Sequence, residues 1–161
     1  MRACSAPKRR GVVAIEGAVV YSAFLALVFM LVIGGAGVFR YQLVAALASE
    51  AARFGSVRGS AFADETQSAS PTAQEIYDRA VAPLVIGMDR SKLTLRVEWI
   101  NTTTDEVFDW DAAPKRPYNQ STTGVVETNR IRVTVLYRWF PECFLGGPLT
   151  MTAVTELPMA F

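Results

Sequence analysis

The stretch "GVVAIEGAVVYSAFLALVFMLVIGGAGVFR" occupies residues 11–40. Between Glu16 and Arg40 lie 23 residues, from Gly17 to Phe39, without a charge. At a helical rise of about 1.5 Å per residue this run reaches roughly 34 Å, against a hydrocarbon core of about 30 Å. No polar stripe runs along it, as one would along the core helix of a soluble protein. The pattern predicts a transmembrane helix over residues 17–39. Gly34, Gly35 and Gly37 agree with this, because glycine is frequent in membrane helices.

The flanks give an orientation. Lys8, Arg9 and Arg10 crowd the N-terminal side, with Arg2 before them, whereas Arg40 stands alone on the other side until Arg53. The side richer in Lys and Arg stays cytoplasmic, so residues 40–161 are expected outside the cytoplasm. From Arg40 onward there are 12 basic and 14 acidic residues, a balance that offers no footing for nucleic acid. A cleaved secretory signal is the alternative, with a small-residue site near Ala48. Its apolar core would ordinarily be only about 7–15 residues. Cys4 and Cys143 fall on opposite sides of the membrane in this topology and cannot pair within one chain.

The helical pattern does not stop at Arg40. Leu43, Val44, Leu47, Ala51 and Phe54 share one side, and Gln42, Ser49, Glu50 and Arg53 the other. An amphipathic helix therefore continues the span to about Phe54, with Gly55 and Gly59 as stops. Residues 59–72 read as a Ser/Ala/Gly-rich linker. A second helix follows, with Ser70 as N-cap, Pro71 at the first helical position and Pro83 at the end. Residues 92–100 and 129–140 alternate apolar and polar, the period of half-buried strands. Residues 149–157 repeat the pattern more weakly, and 101–128 form a long polar loop or irregular hairpin. The expected class is α+β: a transmembrane helix, its amphipathic continuation, then a small antiparallel sheet with a second helix. The boundaries are a basic leader 1–11, the long helix 12–58, the linker 59–72 and an extracytoplasmic domain 73–161.

Glu16 is the anomaly. A carboxylate at the membrane boundary is costly unless it is paired or reaches water. Val12 precedes it by four residues, one helical turn on the same face. If the chain is cut between Gly11 and Val12, the new α-ammonium of Val12 lies where it can neutralise Glu16. Glu16 could equally take the amine of a neighbouring subunit and set the register of stacked helices. Removing residues 1–11 also removes the basic charge that holds the leader in place.

A basic leader, a glycine, four apolar residues, a glutamate and about 20 apolar residues resemble the class III signal of type IV pilins and pseudopilins. In "KRRGVVAIEGAVV", Gly11 matches the residue before the cut, Val12 the first mature residue and Glu16 the acid at mature position five. The chain is similar to the TadE-like minor pseudopilins of tight-adherence (Flp) pilus systems in this start, in the helix end "ALASEAARFGSVRG", and in the closing "RIRVTVLYRWFP" and "LTMTAVTELP". Gly17 and Ala18 depart from that family, which carries a bulky residue after the acid. The resemblance implies a pilin-like fold in the inner membrane and a structural or priming role rather than an enzyme. It implies as partners a prepilin peptidase, other pseudopilins, the major pilin, inner-membrane platform proteins and the lipid bilayer. At average usage, glycine five residues before glutamate occurs in about one register in 200. A plain single-pass anchor carrying a binding module stays the alternative.

Other chemistry has little support. With no histidine, schemes built on that side chain are excluded. No phosphate-binding loop or nucleophile elbow occurs, and no cofactor is expected. Asp105, Glu106, Asp109 and Asp111 are oxygen donors of the kind calcium takes, but they lack the spacing of an EF-hand loop; no metal is expected. Trp99, Trp110 and Trp139 with Tyr118 and Tyr137 suit either strand packing or a binding platform. Asn101 and Asn119 begin sequons.

Overall fold

The computed structural model describes residues 9–120, 124, 126–141 and 147–160. The chain divides into two compact units, Met1–Phe39 and Arg40–Phe161. Both share helix α1 (Arg9–Ser56), a single uninterrupted element.

In the first unit α1 shows apolar side chains to every side; Val19, Phe24, Phe29, Met30 and Val38 are all exposed. It is the one helix among the described residues long and apolar enough to cross a membrane. Its backbone polar groups are satisfied within the helix, the arrangement a bilayer requires. The Ser22 hydroxyl is satisfied the same way, donating to the Ala18 carbonyl.

In the second unit, residues 40–56 of α1 bury a narrow stripe: Val44, Leu47, Ala48, Ala51, Ala52, Gly55 and Ser56. Leu43 and Phe54, expected on that stripe, are only half-buried at its margins. The small residues let the helix approach the sheet more closely than the larger ones would. A Cβ on Gly55 would collide with Cδ1 of Ile131, itself fully buried.

The sheet has four antiparallel strands, ordered β2-β1-β5-β6: β1 (Leu93–Asn101), β2 (Glu106–Asp109), β5 (Arg130–Trp139) and β6 (Leu149–Pro158). The three strands expected from alternation form within a residue or two of their predicted bounds. Register aligns Val97 with Val133, Leu95 with Val135 and Ala153, and Leu93 with Tyr137 on the face that packs inward. On the opposite face Glu98, Arg132 and Glu156 stand in one row across three strands. Arg132 Nε donates to Glu156 at 2.5 Å, and Glu98 accepts from Arg96 at 2.8 Å. Glu98 is buried, and these cations compensate it.

Two expectations need correction. The linker is not structureless: "SAFADET" forms α2 (Ser60–Thr66), closed by Gln67 in the left-handed region. Its Ala, Glu and Asp suffice for two turns once Ser60 N–H is pinned to the Lys115 carbonyl at 2.9 Å. The second helix starts two residues later than Ser70-Pro71 suggested. α3 (Ala73–Ile76) is capped by Thr72 in a reciprocal box with Glu75: Glu75 N–H donates to Thr72 Oγ1 and Thr72 N–H to Glu75 Oε2. That box satisfies two orphan donors at once, more than a lone Ser70 could; Ser70 instead donates to the Gly59 carbonyl. Pro83 has no N–H to continue the ladder, and the helix widens to a π turn (Tyr77–Val81) and then tightens to a 3-10 turn (Ala82–Leu84) that holds Pro83 itself.

The chain's three tryptophans all lie in the second unit and are buried, so their fluorescence reports on that unit alone. Gly55→Ala is expected to lower its stability by about 1–3 kcal/mol through overpacking, read by denaturant titration of the full chain in detergent micelles. Gly34→Ala, where a methyl meets open space, leaves that transition where it was.

Candidate functional site

α1 is described from Arg9 onward, and Arg10 and the Gly11–Val12 bond lie on it. Lys8 and the rest of the leader lie outside the described residues, as do Cys4, Cys143 and Ser121 of the second sequon.

Glu16 stands exposed on the following turn, four residues and about 6 Å of rise beyond Val12. With Ile15, Val19 and Val20 it lines a shallow recess on the helix surface. Every other member of that recess is apolar. Gly17, next in sequence, presents no side chain on the same helix and leaves Tyr21 as the nearest neighbour of a would-be methyl. The structure thus holds Val12 and Glu16 one turn apart on one helix, and the apolar run from Gly17 to Phe39 continues it.

The acidic group of the second unit has a different use. Asp109 caps the 3-10 turn Trp110–Ala112 by accepting from Asp111 N–H. Asp111 Oδ1 accepts from Ala73 N–H at 2.8 Å, at the start of α3. Among the described residues no three His, Cys, Asp or Glu side chains converge to hold a metal ion. Trp99, Trp110, Trp139 and Tyr137 are core residues, and only Tyr118 of the expected aromatic group is exposed. Trp110 Nε1 donates to the Pro71 carbonyl at 2.7 Å. Lys115 Nζ reaches the same carbonyl at 3.3 Å and lies over the Trp110 ring. Burial pushes the Lys115 ammonium below the usual lysine range, against the pull of Asp111 and Glu75.

Residues 101–128, expected as a long loop or an irregular hairpin, hold β2 and a second, antiparallel two-stranded sheet, β3 (Tyr118–Gln120) with β4 (Val126–Thr128). The organiser is Asn129, fully buried just before β5. Its Oδ1 accepts from Thr102 N–H at 3.1 Å and from Asn119 Nδ2 at 3.0 Å. Its Nδ2 donates to the Arg116 carbonyl at 3.0 Å. Both sequon asparagines are drawn in, since Asn119 also donates to Asn101 Oδ1. A polar recess beside them is lined by Asn101, Thr103, Thr104, Arg116, Tyr118 and Asn119. Sequence periodicity holds no trace of this hub, because its side-chain partners lie 10 to 27 residues away.

Compared with known proteins, the chain matches no family model, no curated protein and no solved structure.

Asn129→Ala strips partners from Thr102 N–H, Arg116 C=O and the Asn119 amide together. A loss of about 1–3 kcal/mol is expected for such unsatisfied groups. Faster hydrogen exchange at Thr102 than at Val133 in the strand centre identifies the hub as the place that opens.

Proposed function

We propose that the chain is a minor pseudopilin: a substrate of a prepilin peptidase and a structural or priming component of a tight-adherence pilus or related secretion machine. One observation carries this reading. Gly11, Val12 and Glu16 stand in the pilin-signal spacing at the mouth of a 23-residue charge-free run, and all three lie on one helix.

Cutting there creates an ammonium at Val12, one turn from the Glu16 carboxylate. Opposite charges within about 4–6 Å stabilise each other's ionised forms, and more strongly at low dielectric. The pair lets the trimmed end sit at membrane depth without a bare charge. An acid on one helix and the terminal amine of the next would fix the axial stagger of neighbouring subunits. The N-terminus is cytoplasmic in this reading, and the Arg40–Phe161 unit stands outside, in contact with other pseudopilins, the major pilin or the platform proteins.

A second reading rests on the polar recess at Asn101, Arg116 and Tyr118. An exposed aromatic beside amides and a guanidinium is the kind of surface that binds a sugar, so the chain could be a tethered module recognising envelope glycans.

Coexpression with a prepilin peptidase separates the two. The expected product starts at Val12 by N-terminal sequencing, and Gly11→Leu blocks its formation. An intact chain beginning at Met1 favours the tethered module. Glu16→Ala is expected to be cut normally yet fail to enter the assembled complex, assayed by co-purification with the major pilin. Normal recruitment of that variant would remove the assigned role of the acid.

A further inference from the structure

The second unit has two unlike ends. α1 runs along the sheet, because Arg40 lies 5.6 Å from the Trp139 ring and Gly55 lies against Ile131, eight residues back along β5. The Arg40 end of the sheet therefore comprises the start of β1, the end of β5 and the start of β6.

Four cations gather there. Arg40 Nη1 donates to the Gly87 carbonyl at 3.3 Å. Arg90 donates to the Ala82 carbonyl at 3.0 Å. Lys92 and Arg138 both lie 5.3 Å from the Phe140 ring centroid, so one exposed aromatic carries two cations. Among the described residues the acid at this end is Asp89, paired with Lys92 at 3.2 Å. Between the cations stand apolar side chains with no cover: Ile86 is 76% exposed, Phe140 46% and Leu84 43%. The other end, around Asn129, carries the acids Asp105, Glu106 and Glu127 together with Arg116 and Arg130.

We infer that the Arg40 end of the Arg40–Phe161 unit is a docking surface for anionic phospholipid headgroups. The inference rests on the membrane-spanning reading of residues 17–39. The occupant follows from chain continuity. Arg40 is the residue directly after the 23-residue apolar run, so a bilayer holding that run lies within a residue of this surface. The composition suits an interface. Arg and Lys keep their heads at phosphate level while their stems lie on apolar groups. The Ile86, Leu84 and Phe140 side chains reach the headgroup boundary between them, and the exposed Tyr41 is of the type that lines such boundaries. A surface meant for water would not place its most exposed isoleucine in a ring of cations.

The test uses the full chain in lipid nanodiscs, with Cys4 and Cys143 replaced by Ser. An environment-sensitive fluorophore is placed at Ile86→Cys or, as a distant control, at Asp64→Cys. Discs contain phosphatidylcholine alone or with phosphatidylglycerol, and nitroxide-bearing lipid serves as quencher. The label at position 86 is expected to be blue-shifted and quenched in anionic discs, and the label at 64 to be neither. Each of Lys92→Gln and Arg138→Gln should lower the docked-to-undocked ratio about fivefold, with unchanged tryptophan emission showing that the unit stays folded. Equal quenching at 86 and 64 overturns the proposal while leaving the membrane span intact. Equal quenching at 86 in both disc types overturns the headgroup assignment. A chain that fails to enter discs at all overturns the span and this surface together.

Discussion

A helix that is apolar on every side has no stable place in water. At about 25 cal/mol per Å², exposing the side chains of residues 17–39 would cost far more than the net stability of a domain this size. The other features of the chain follow from covering that run. Its length matches a bilayer, its backbone is satisfied within one helix, and its Ser22 hydroxyl is turned back onto the Ala18 carbonyl. Arg40 marks where the covering medium changes. Before it the helix is apolar all round; after it the same helix narrows to a stripe of Val44, Leu47, Ala51, Ala52 and Gly55. The residue sizes along α1 change at Arg40, from apolar on every side to a stripe of small and medium residues.

The stripe also sets the geometry of the sheet. Alanine and glycine contribute little buried area of their own. They contribute proximity, letting the helix backbone settle against Ile131 and its neighbours, whose large side chains fill the gap. The C-terminal chain completes the seal: Ala160 N–H donates to the Ser56 carbonyl at 2.9 Å, and Met159 N–H to that of Asn129. The helix end, the hub and the last strand are therefore tied at one place, and the opposite end is left for the cations around Arg40.

Features with a short period were legible in the sequence. The 3.6 and 2.0 repeats located α1 and strands β1, β5 and β6, because those patterns record burial residue by residue. For Trp99, Trp110 and Trp139 the sequence left strand packing and a binding platform both open, and the structure buries all three. Less legible was whatever depends on partners distant in sequence. Asn129 looks like an ordinary polar residue at a strand start until three loop segments converge on it. The capping box Thr72–Glu75 was readable, but Ser70-Pro71 offered a competing start two residues earlier. Only the Trp110 and Lys115 contacts, which claim the Pro71 carbonyl, show why the later start wins. The pilin-like signal is local in sequence, so Gly11, Val12 and Glu16 could be named without any fold; the structure adds that they share a helix.

The acids of this chain sort themselves by use. Glu75 closes a capping box, Asp109 and Asp111 cap turns and helices, Glu98 and Glu156 hold a ladder of arginines, and Glu50 accepts from Arg53, which draws its carboxyl below the usual range. Each has a polar partner, and each stabilises a local piece of the fold. Glu16 is set differently. Its recess is formed with Ile15, Val19 and Val20, none of which can hydrogen-bond a carboxylate. Folding gains nothing from a charge there, and the membrane boundary makes it expensive. A residue placed against both propensity and solvation needs a use elsewhere. On the proposed reading, breaking the Gly11–Val12 bond supplies the compensating charge, an ammonium one helical turn before Glu16.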